Sequence, residues 1–519
     1  MFKVVQAALF ILLILVNQLP SHAQFRNNNW IFGDSAGVNF DNGINFFKGG
    51  SGFFRGTASI SDTQGNLIFY GSTSNSTNSH TGQIQQGKLF NELHTKLFNG
   101  DTLVGGEWYH DMLILPKSVT DSTFYVFVAG VVYPDTGLWV NIVDMKLQGG
   151  LGQMVQKNLL LETHPVQDML AAVRHGNGKD WWLVTRRWTY APGYVKNNEF
   201  WVYLVDSTGI HTQPVQFVGT PHFDGSGDIT FNSTGDKMVL AGWGSYLGVF
   251  DFDRCSGLIS NEVIVEQYAP PASIFKLYMS AVFSPDGSRL YAVSLQDIYN
   301  LNSKLYQFDL LASNIPGSRV LLDTFPIEAS PGGMELAPDG KIYISCVYAG
   351  SGSGFPYPST CWNYINENLS VINQPDSLGF ACDFQPFSFS LGGARTYYGL
   401  PNNPDYELGA WLGSPCDTLT VGLTPGPGET SPSEERGAWL QAWYNHEWNM
   451  IHVNAAQLKG KKGLLRLFDI EGRIVFEKPA EVVSGGYYTT EIYMSEMANG
   501  VYLVNLVTEK DALSYKVMK

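Results

Sequence analysis

Phe283-Ser284-Pro285-Asp286-Gly287-Ser288-Arg289-Leu290-Tyr291 is the stretch that decides the fold. An apolar run, Ala281-Val282-Phe283, stops at a polar turn and resumes as Leu290-Tyr291-Ala292-Val293. Pro285 fixes φ at the second turn position and Gly287 supplies positive φ at its end. Short β-branched and aromatic runs on both sides of such a turn predict a β-hairpin.

The same phrase recurs. Ala337-Pro338-Asp339-Gly340 lies between Met334-Glu335-Leu336 and Ile342-Tyr343-Ile344. Looser copies pair Ala58–Ile60 with Leu67–Tyr70, Met112–Leu115 with Phe124–Phe127, Ala171–Val173 with Trp181–Val184, and Ile229–Phe231 with Met238–Leu240. A last copy pairs Phe387–Phe389 with Arg395–Tyr398. The turns fall at Gly65, Ser122, Gly178, Gly235, Gly287, Gly340 and Gly392, in steps of 57, 56, 57, 52, 53 and 52 residues. A fixed period near fifty in an all-β chain predicts propeller blades of about four strands. Seven copies predict a seven-bladed β-propeller over residues 24–416. The last copy lacks its outer half, and Trp30–Gly33 with Gly37–Phe40 precede the first, so the ring is expected to close through the N-terminal strands. Closure removes sheet edges. The Ser-Pro-Asp-Gly phrase resembles the blade turn of TolB-like and WD-type propellers, a likeness of fold that is silent on function.

Composition agrees. In 519 residues, aromatics reach 13%, Gly numbers 55, and charged residues are only 15%, against roughly 25% in an average soluble domain. Disorder, collagen and coiled coil are excluded. The net charge of −15 makes nucleic acid a poor partner. Lys3, the apolar run Val4–Val16 and Ser21-His22-Ala23 read as a secretory signal over residues 1–23. At 13 residues the run falls short of the roughly 20 that span a bilayer, so an integral membrane protein is not expected. Cys255, Cys346, Cys361, Cys382 and Cys416 have neither CxxC nor zinc-finger spacing. In an exported protein they allow two disulfides and one thiol, with the pairing open.

Residues 417–437 are rich in Pro, Gly, Ser and Glu and read as a flexible linker. Beyond it, residues 438–519 show short alternating strands with Gly turns, the pattern of a small Ig-like β-sandwich. Asp469-Ile-Glu-Gly472-Arg473, Met497-Ala-Asn-Gly500-Val501-Tyr502 and the terminal Tyr515-Lys516-Val-Met-Lys519 resemble the type A C-terminal sorting domain of the type IX secretion system of Bacteroidota. Where that family opens with Tyr-Pro-Asn-Pro, this chain has Tyr444-Asn445-His446-Glu447. The resemblance implies export through the periplasm to the outer cell surface or medium. It implies the secretion machinery and its sortase-like peptidase as partners, with Asp469, Gly472, Gly500, Tyr502, Lys516 and Lys519 as the motif residues. Asn29-Trp30-Ile-Phe-Gly33 and Gly413-Ser-Pro-Cys-Asp417 are similar to stretches of secreted β-propeller proteins of the same bacteria.

Residues just before each innermost propeller strand lie at one mouth of the channel. Here those positions hold Arg55, Glu107, Trp108, His110, Asp111, His164, Asp168, His222, Asp224, Tyr278 and Asp383. Convergence of carboxylates, imidazoles and aromatics would make a concave binding site. The same groups also serve as loop caps. No cofactor is expected. His110, Asp111, His164, Asp168, His222 and Asp224 are ligand types a divalent cation could take, but no spacing selects a metal. There is no Gly-x-Ser-x-Gly elbow and no Cys/His pairing. Trp181, Trp182 and Trp201 sit in strand pattern, where burial is the default. Two functions follow. The favoured one is a secreted or cell-surface binding module for a glycan or protein ligand. The other is an extracellular hydrolase or lyase working through Asp and His at the mouth.

Overall fold

The turn at Gly287 closes as its residues dictate. Gly287 N–H donates to Ser284 O at 2.9 Å, with Gly287 at φ 71°. Asp286 Oδ1 accepts from Ser284 Oγ at 2.7 Å and from Ser288 N–H at 2.8 Å. The flanking strands pair antiparallel, Phe283 opposite Leu290 and Ala281 opposite Ala292. The computed structural model describes residues 25–519 except 42–44, 50–55, 74–86, 107–108, 119–121, 132–135, 190–195, 223–225, 243–245, 268–276, 296–301, 349–361, 412, 418–438, 446–448, 457, 470–472, 483–485, 487 and 496. The expected signal and nearly all of the expected linker lie outside the described residues.

The chain divides into two compact units, Met1–Thr420 and Val421–Lys519. Among the described residues the first unit holds seven antiparallel sheets in chain order. β1 (Asn29–Phe32), β2 (Ala36–Asn39) and β3 (Asn45–Lys48) form one; β4 (Thr57–Ser61), β5 (Leu67–Ser72) and β6 (Lys88–Asn91) form the next. β7 (Met112–Pro116), β8 (Thr123–Gly130), β9 (Gly137–Asp144) and β10 (Gln153–Glu162) make the third. The fourth runs β11 (Ala171–Arg174), β12 (Trp181–Arg186), β13 (Asn197–Asp206), with β14 (Gly209–Thr212) and β15 (Gln216–His222) both on β13. β16 (Gly227–Phe231), β17 (Lys237–Gly242), β18 (Tyr246–Asp253) and β19 (Leu258–Gln267) follow. Then come β20 (Leu277–Phe283), β21 (Arg289–Leu295), β22 (Lys304–Asp309) and β23 (Val320–Thr324). The last is β24 (Ala329–Leu336), β25 (Ile342–Tyr348), β26 (Asn368–Ile372) and β27 (Phe384–Ser390).

First strands sit side by side: β1 on β4, β4 on β7, β11 on β16, β16 on β20 and β20 on β24. A parallel bridge between His110 and Met169 joins the start of β7 to the approach of β11. Burial follows position. β7 is buried throughout, whereas the outermost β19 exposes Leu258, Ser260, Asn261 and Gln267.

Six of the seven expected hairpins form as read. The seventh does not. Phe384–Ser390 is the outermost strand of the last four-stranded sheet, paired with β26, Leu369 opposite Phe389. Gly392 ends that strand at φ 62° and leads into a segment that forms no strand of its own. This sheet already has its four strands, so Gly392 follows the outermost one and does not turn a hairpin. The N-terminal strands make a sheet of their own, and the returning chain meets it at one antiparallel bridge, Asp34 with Arg395. Arg395 is buried and pairs with Asp34 at 3.3 Å. Trp30 and Phe40 pack edge-on against Tyr343 of β25.

From Arg395 the chain runs as a strap along the first strands. Gly333 N–H donates to Tyr398 O at 2.6 Å. Asn402 Nδ2 donates to Met112 O at 3.1 Å and Leu170 O at 2.8 Å. Tyr406 OH donates to Ile114 O at 2.7 Å, and an Arg174 NH2 returns to Tyr406 O at 2.9 Å. Trp411 N–H reaches Gly176 O at 2.8 Å. Cys416 ends the strap in a disulfide with Cys255, Cα to Cα 5.4 Å. Of the pairings left open, this one forms; Cys346 and Cys382 are buried thiols, and Cys361 lies outside the described residues.

In the second unit β28 (Trp439–Asn445), β29 (Met450–Ala456) and β32 (Tyr488–Tyr493) form one sheet. β30 (Lys462–Phe468), β31 (Ile474–Glu481), β33 (Val501–Thr508) and β34 (Ala512–Met518) form the other. Ile451 and Val453 from the first share a core with Leu465, Leu467, Val504 and Leu506 from the second.

Candidate functional site

Three of the residues expected at the mouth come together where the first strands begin. His110, Asp111 and Asp168 are each 1% exposed or less. They form a buried polar layer and not an open rim. Asp111 Oδ1 accepts from Thr73 Oγ1 at 2.5 Å. Asp168 Oδ2 accepts from Tyr109 N–H and Ser226 Oγ, both at 3.1 Å. Burial pushes the Asp168 carboxyl up to about 7 against these hydrogen bonds. His110 Nδ1 stands 3.5 Å from Asp228 Oδ1, and neither ring nitrogen has a hydrogen-bond partner among the described residues. Asp228 Oδ2 accepts from Ser280 Oγ at 2.6 Å. Burial raises its carboxyl too. Asp228, Ser226 and Ser280 complete this layer. The signal for Ser226 and Asp228 was their position, at or beside the start of β16, whereas Ser280 lies mid-strand in β20.

The remaining candidates are elsewhere. His222 stacks on Tyr246 with centroids 3.8 Å apart and its Nε2 meets an Arg186 NH1 at 2.5 Å. Burial and that guanidinium drive its pKa to about 3. His164 is exposed and pairs with Glu162 at 2.7 Å. Tyr278 is buried and donates from its OH to Glu266 Oε2 at 2.5 Å. Asp383 is exposed at φ 53°, capping a short 3₁₀ turn before β27. Its expected place at a mouth depended on the seventh hairpin that does not form. Arg55, Glu107, Trp108 and Asp224 lie outside the described residues. Trp181, Trp182 and Trp201 are buried. Among the described residues no group of three or more His, Cys, Asp or Glu could hold a metal ion.

The concave feature is at the other end of the first strands. A cavity of about 590 Å³ is lined by Ala171–Val173 of β11, Ile229–Phe231 of β16, Val282 and Phe283 of β20, and Glu335 and Leu336 of β24. Phe25, Asn27 and Asn28 close one side and the strap residues Asn402–Asp405 another. The size suits a small organic ligand. Phe25, Pro338, Asp405 and Glu407 are exposed, so the cavity opens to water there. Burial and the nearby Asp228 hold the Glu335 carboxyl well above the usual range. Asp405 is open to the cavity but walled by protein on its other sides. That enclosure raises it, while Arg174 and Arg254 pull the other way. No sequence signal marked this site, because Glu335 sits inside an apolar strand run and the strap arrives from the far end of the unit.

In the second unit, Asp469, Gly500, Tyr502 and Lys519 make contacts within the fold. Asp469 accepts from Arg473 N–H at 3.0 Å and from its Nε at 2.7 Å. Tyr502 OH donates to Ala498 O at 2.6 Å. Gly500 and Lys519 exchange backbone hydrogen bonds, and Lys519 Nζ donates to Met494 O and Met497 O. Lys516 is exposed opposite Leu503. Gly472 lies outside the described residues.

Residues 448–519 match the family described as the secretion system C-terminal sorting domain. No curated protein matches the chain. Among solved structures, the periplasmic gluconolactonase of Pseudomonas aeruginosa is similar at 12% identity over 72% of this chain and 98% of that one, TM-score 0.40. The Cps50 (Swd1) β-propeller domain of Myceliophteria thermophila is similar at 11% identity over 63% and 95%, TM-score 0.35. Neither likeness carries an argument about activity. Among the described residues no helix is long and apolar enough to cross a membrane.

Proposed function

We propose that this type IX secretion cargo carries a closed seven-bladed propeller that binds a small ligand in its channel, outside the cell, without turning it over. The cavity at the strap end of the first strands carries this reading. It is large enough for an organic molecule and open to water. Of the acids and imidazoles expected at the other mouth, Asp111 and Asp168 are buried and hydrogen-bonded to backbone and hydroxyl groups, and His110 is buried against Asp228. A binding pocket therefore has support in geometry, while the exposed pair of His164 with Glu162 is no part of its wall. The bridge of Asp34 with Arg395 and the packing of Trp30 on Tyr343 support closure of the ring.

The test is a glycan, peptide and metabolite array on the purified full-length protein, beside a Phe231→Ala variant that removes an aromatic wall of the cavity. Retained ligand lost in Phe231→Ala, with unchanged circular dichroism, is the expected result. A hydrolase or lyase is the second reading. It is favoured by the raised Glu335 lying beside Asp228 and its His110 neighbour. New products in the array eluate, seen by mass spectrometry, would replace the binding reading with that one.

A further inference from the structure

We infer that the occupant of the channel cavity is a small organic cation, an ammonium group on a compact apolar or sugar-like body. This rests on the cavity being a binding site and names the chemistry it takes. The cavity wall carries four carboxylates, Asp41, Glu335, Asp405 and Glu407, and no Lys, Arg or His among the described residues. Two of the four already have cations behind them. Asp405 feels Arg174 and Arg254, and Glu407 feels the Arg26 guanidinium and accepts from the Arg26 backbone N–H at 3.0 Å on its Oε1. Glu335 has none. Among the described residues no hydrogen bond or ion pair reaches its carboxylate. The charged group that acts on it is another acid, Asp228, which His110 faces at 3.5 Å.

The neutral polar groups that would read a sugar hydroxyl are largely committed. Asn402 Nδ2 is spent on two carbonyls. Asn403 Nδ2 donates to Asn27 Oδ1 and Ser59 Oγ while its Oδ1 accepts from Ser59 N–H. Asn232 is bound to Thr234, Asp236 and Lys237. Thr230 Oγ1 donates to Ala281 O. What remains for a ligand is chiefly carboxylate oxygen and aromatic surface, with the amides of Asn27 and Asn28 beside them. Phe25, Phe40, Phe231 and Phe283 line the same space. A carboxylate acceptor with aromatic walls selects an ammonium, and an anion would find no donor side chain of positive charge.

The groups facing Glu335 are Asp228 and His110 behind it, and Asp41, Asp405 and Glu407 on the cavity walls with their arginines beyond. An empty cavity therefore keeps Glu335 protonated well above the usual carboxylate range. A bound cation favours its ionised form, so binding releases a proton and strengthens as pH rises.

Calorimetric titration of the full-length, disulfide-intact protein tests this with matched pairs: glucosamine and glucose, benzylamine and benzyl alcohol, choline and 3,3-dimethylbutanol, with gluconate as the anion. We expect at least one amine to bind about tenfold or more tighter than its neutral partner, as for a charge-assisted contact. We also expect proton release that scales with buffer ionisation enthalpy, and no gluconate binding. Glu335→Gln should erase the preference. Asp41→Asn should weaken it a few-fold by the loss of one negative wall charge. If Glu335→Gln does not fold, Glu335→Asp keeps the charge and should keep the preference with weaker binding. Neutral partners binding as well as amines, or an unaltered preference in Glu335→Gln, overturns the cation assignment while cavity binding stands. No binding by any amine also overturns it. If the array in addition finds no ligand displaced by Phe231→Ala, cavity binding itself falls.

Discussion

Asp168 and His222 put opposite slopes on the pH dependence of stability. Asp168 has a folded pKa of about 7 against an ordinary 3.8. The folded state therefore binds more protons between those values, and stability falls as pH rises through that window. His222 has a folded pKa of about 3 against 6.5. There the unfolded state binds more protons, and stability is lost as pH falls below 6.5. Asp168→Asn keeps the shape and can still accept from Tyr109 N–H, without a charge to bury. At pH 8 we expect it to unfold at higher urea, with a gain on the order of a few kcal/mol, and at pH 4 to match the parent. A gain of equal size at both pH values would show that Asp168 is not raised. His222→Gln is expected to flatten the acid limb between pH 6.5 and pH 4 in the same melts.

Hairpins were legible because each is fixed locally, by a turn residue that sets φ and two flanking runs that read as strand. Gly340 shows how local the rule is. It sits at φ 78° with nothing within 4 Å of an added Cβ, so Gly340→Ala tests backbone conformation alone. We expect a loss of roughly 1–2 kcal/mol, the cost of a left-handed non-glycine residue, read as a shift in urea midpoint at constant slope. A neutral substitution would mean the turn does not need its glycine. The seventh hairpin failed for the same reason the others succeeded. Phe387-Ser388-Phe389 followed by Gly392 satisfies the local rule, but it is the pairing of Phe389 with Leu369 that assigns the strand, and pairing is not local. The candidate site divides the same way. The recurrence of Asp and His before first strands could be read from spacing. That they face inward, and that the cavity lies at the opposite strand ends under a strap from residues 402–408, depends on contacts between distant segments.

Across the whole unit the strap is the longest-range connection, and its disulfide spans 161 residues of sequence. Loop-closure arithmetic for a bridge of that span gives about 5 kcal/mol of stabilisation through the unfolded chain. The Cys255→Ser, Cys416→Ser double variant should therefore melt at markedly lower temperature than the oxidised parent and match the parent under reductant. Because Asn402, Asp405 and Glu407 belong to the same strap, the variant should also hold cavity ligands more weakly. Unchanged melting would mean that the strap is held by its hydrogen bonds to β7 and β11 alone. The second unit makes the last claim. Its terminal Lys519 is tied by backbone hydrogen bonds to Gly500 and by its ammonium to two carbonyls, so the chain end is part of the folded surface. The sorting domain match of residues 448–519 indicates secretion to the cell surface or the medium. Removing residues 438–519 should leave the first unit folded, since it has its own core and its own disulfide, but held in the periplasm. Cell fractionation of a type IX-competent host decides it: disulfide-bonded protein in the periplasm is expected. Arrival of the truncated protein at the surface or in the medium would place the export signal in the first unit instead.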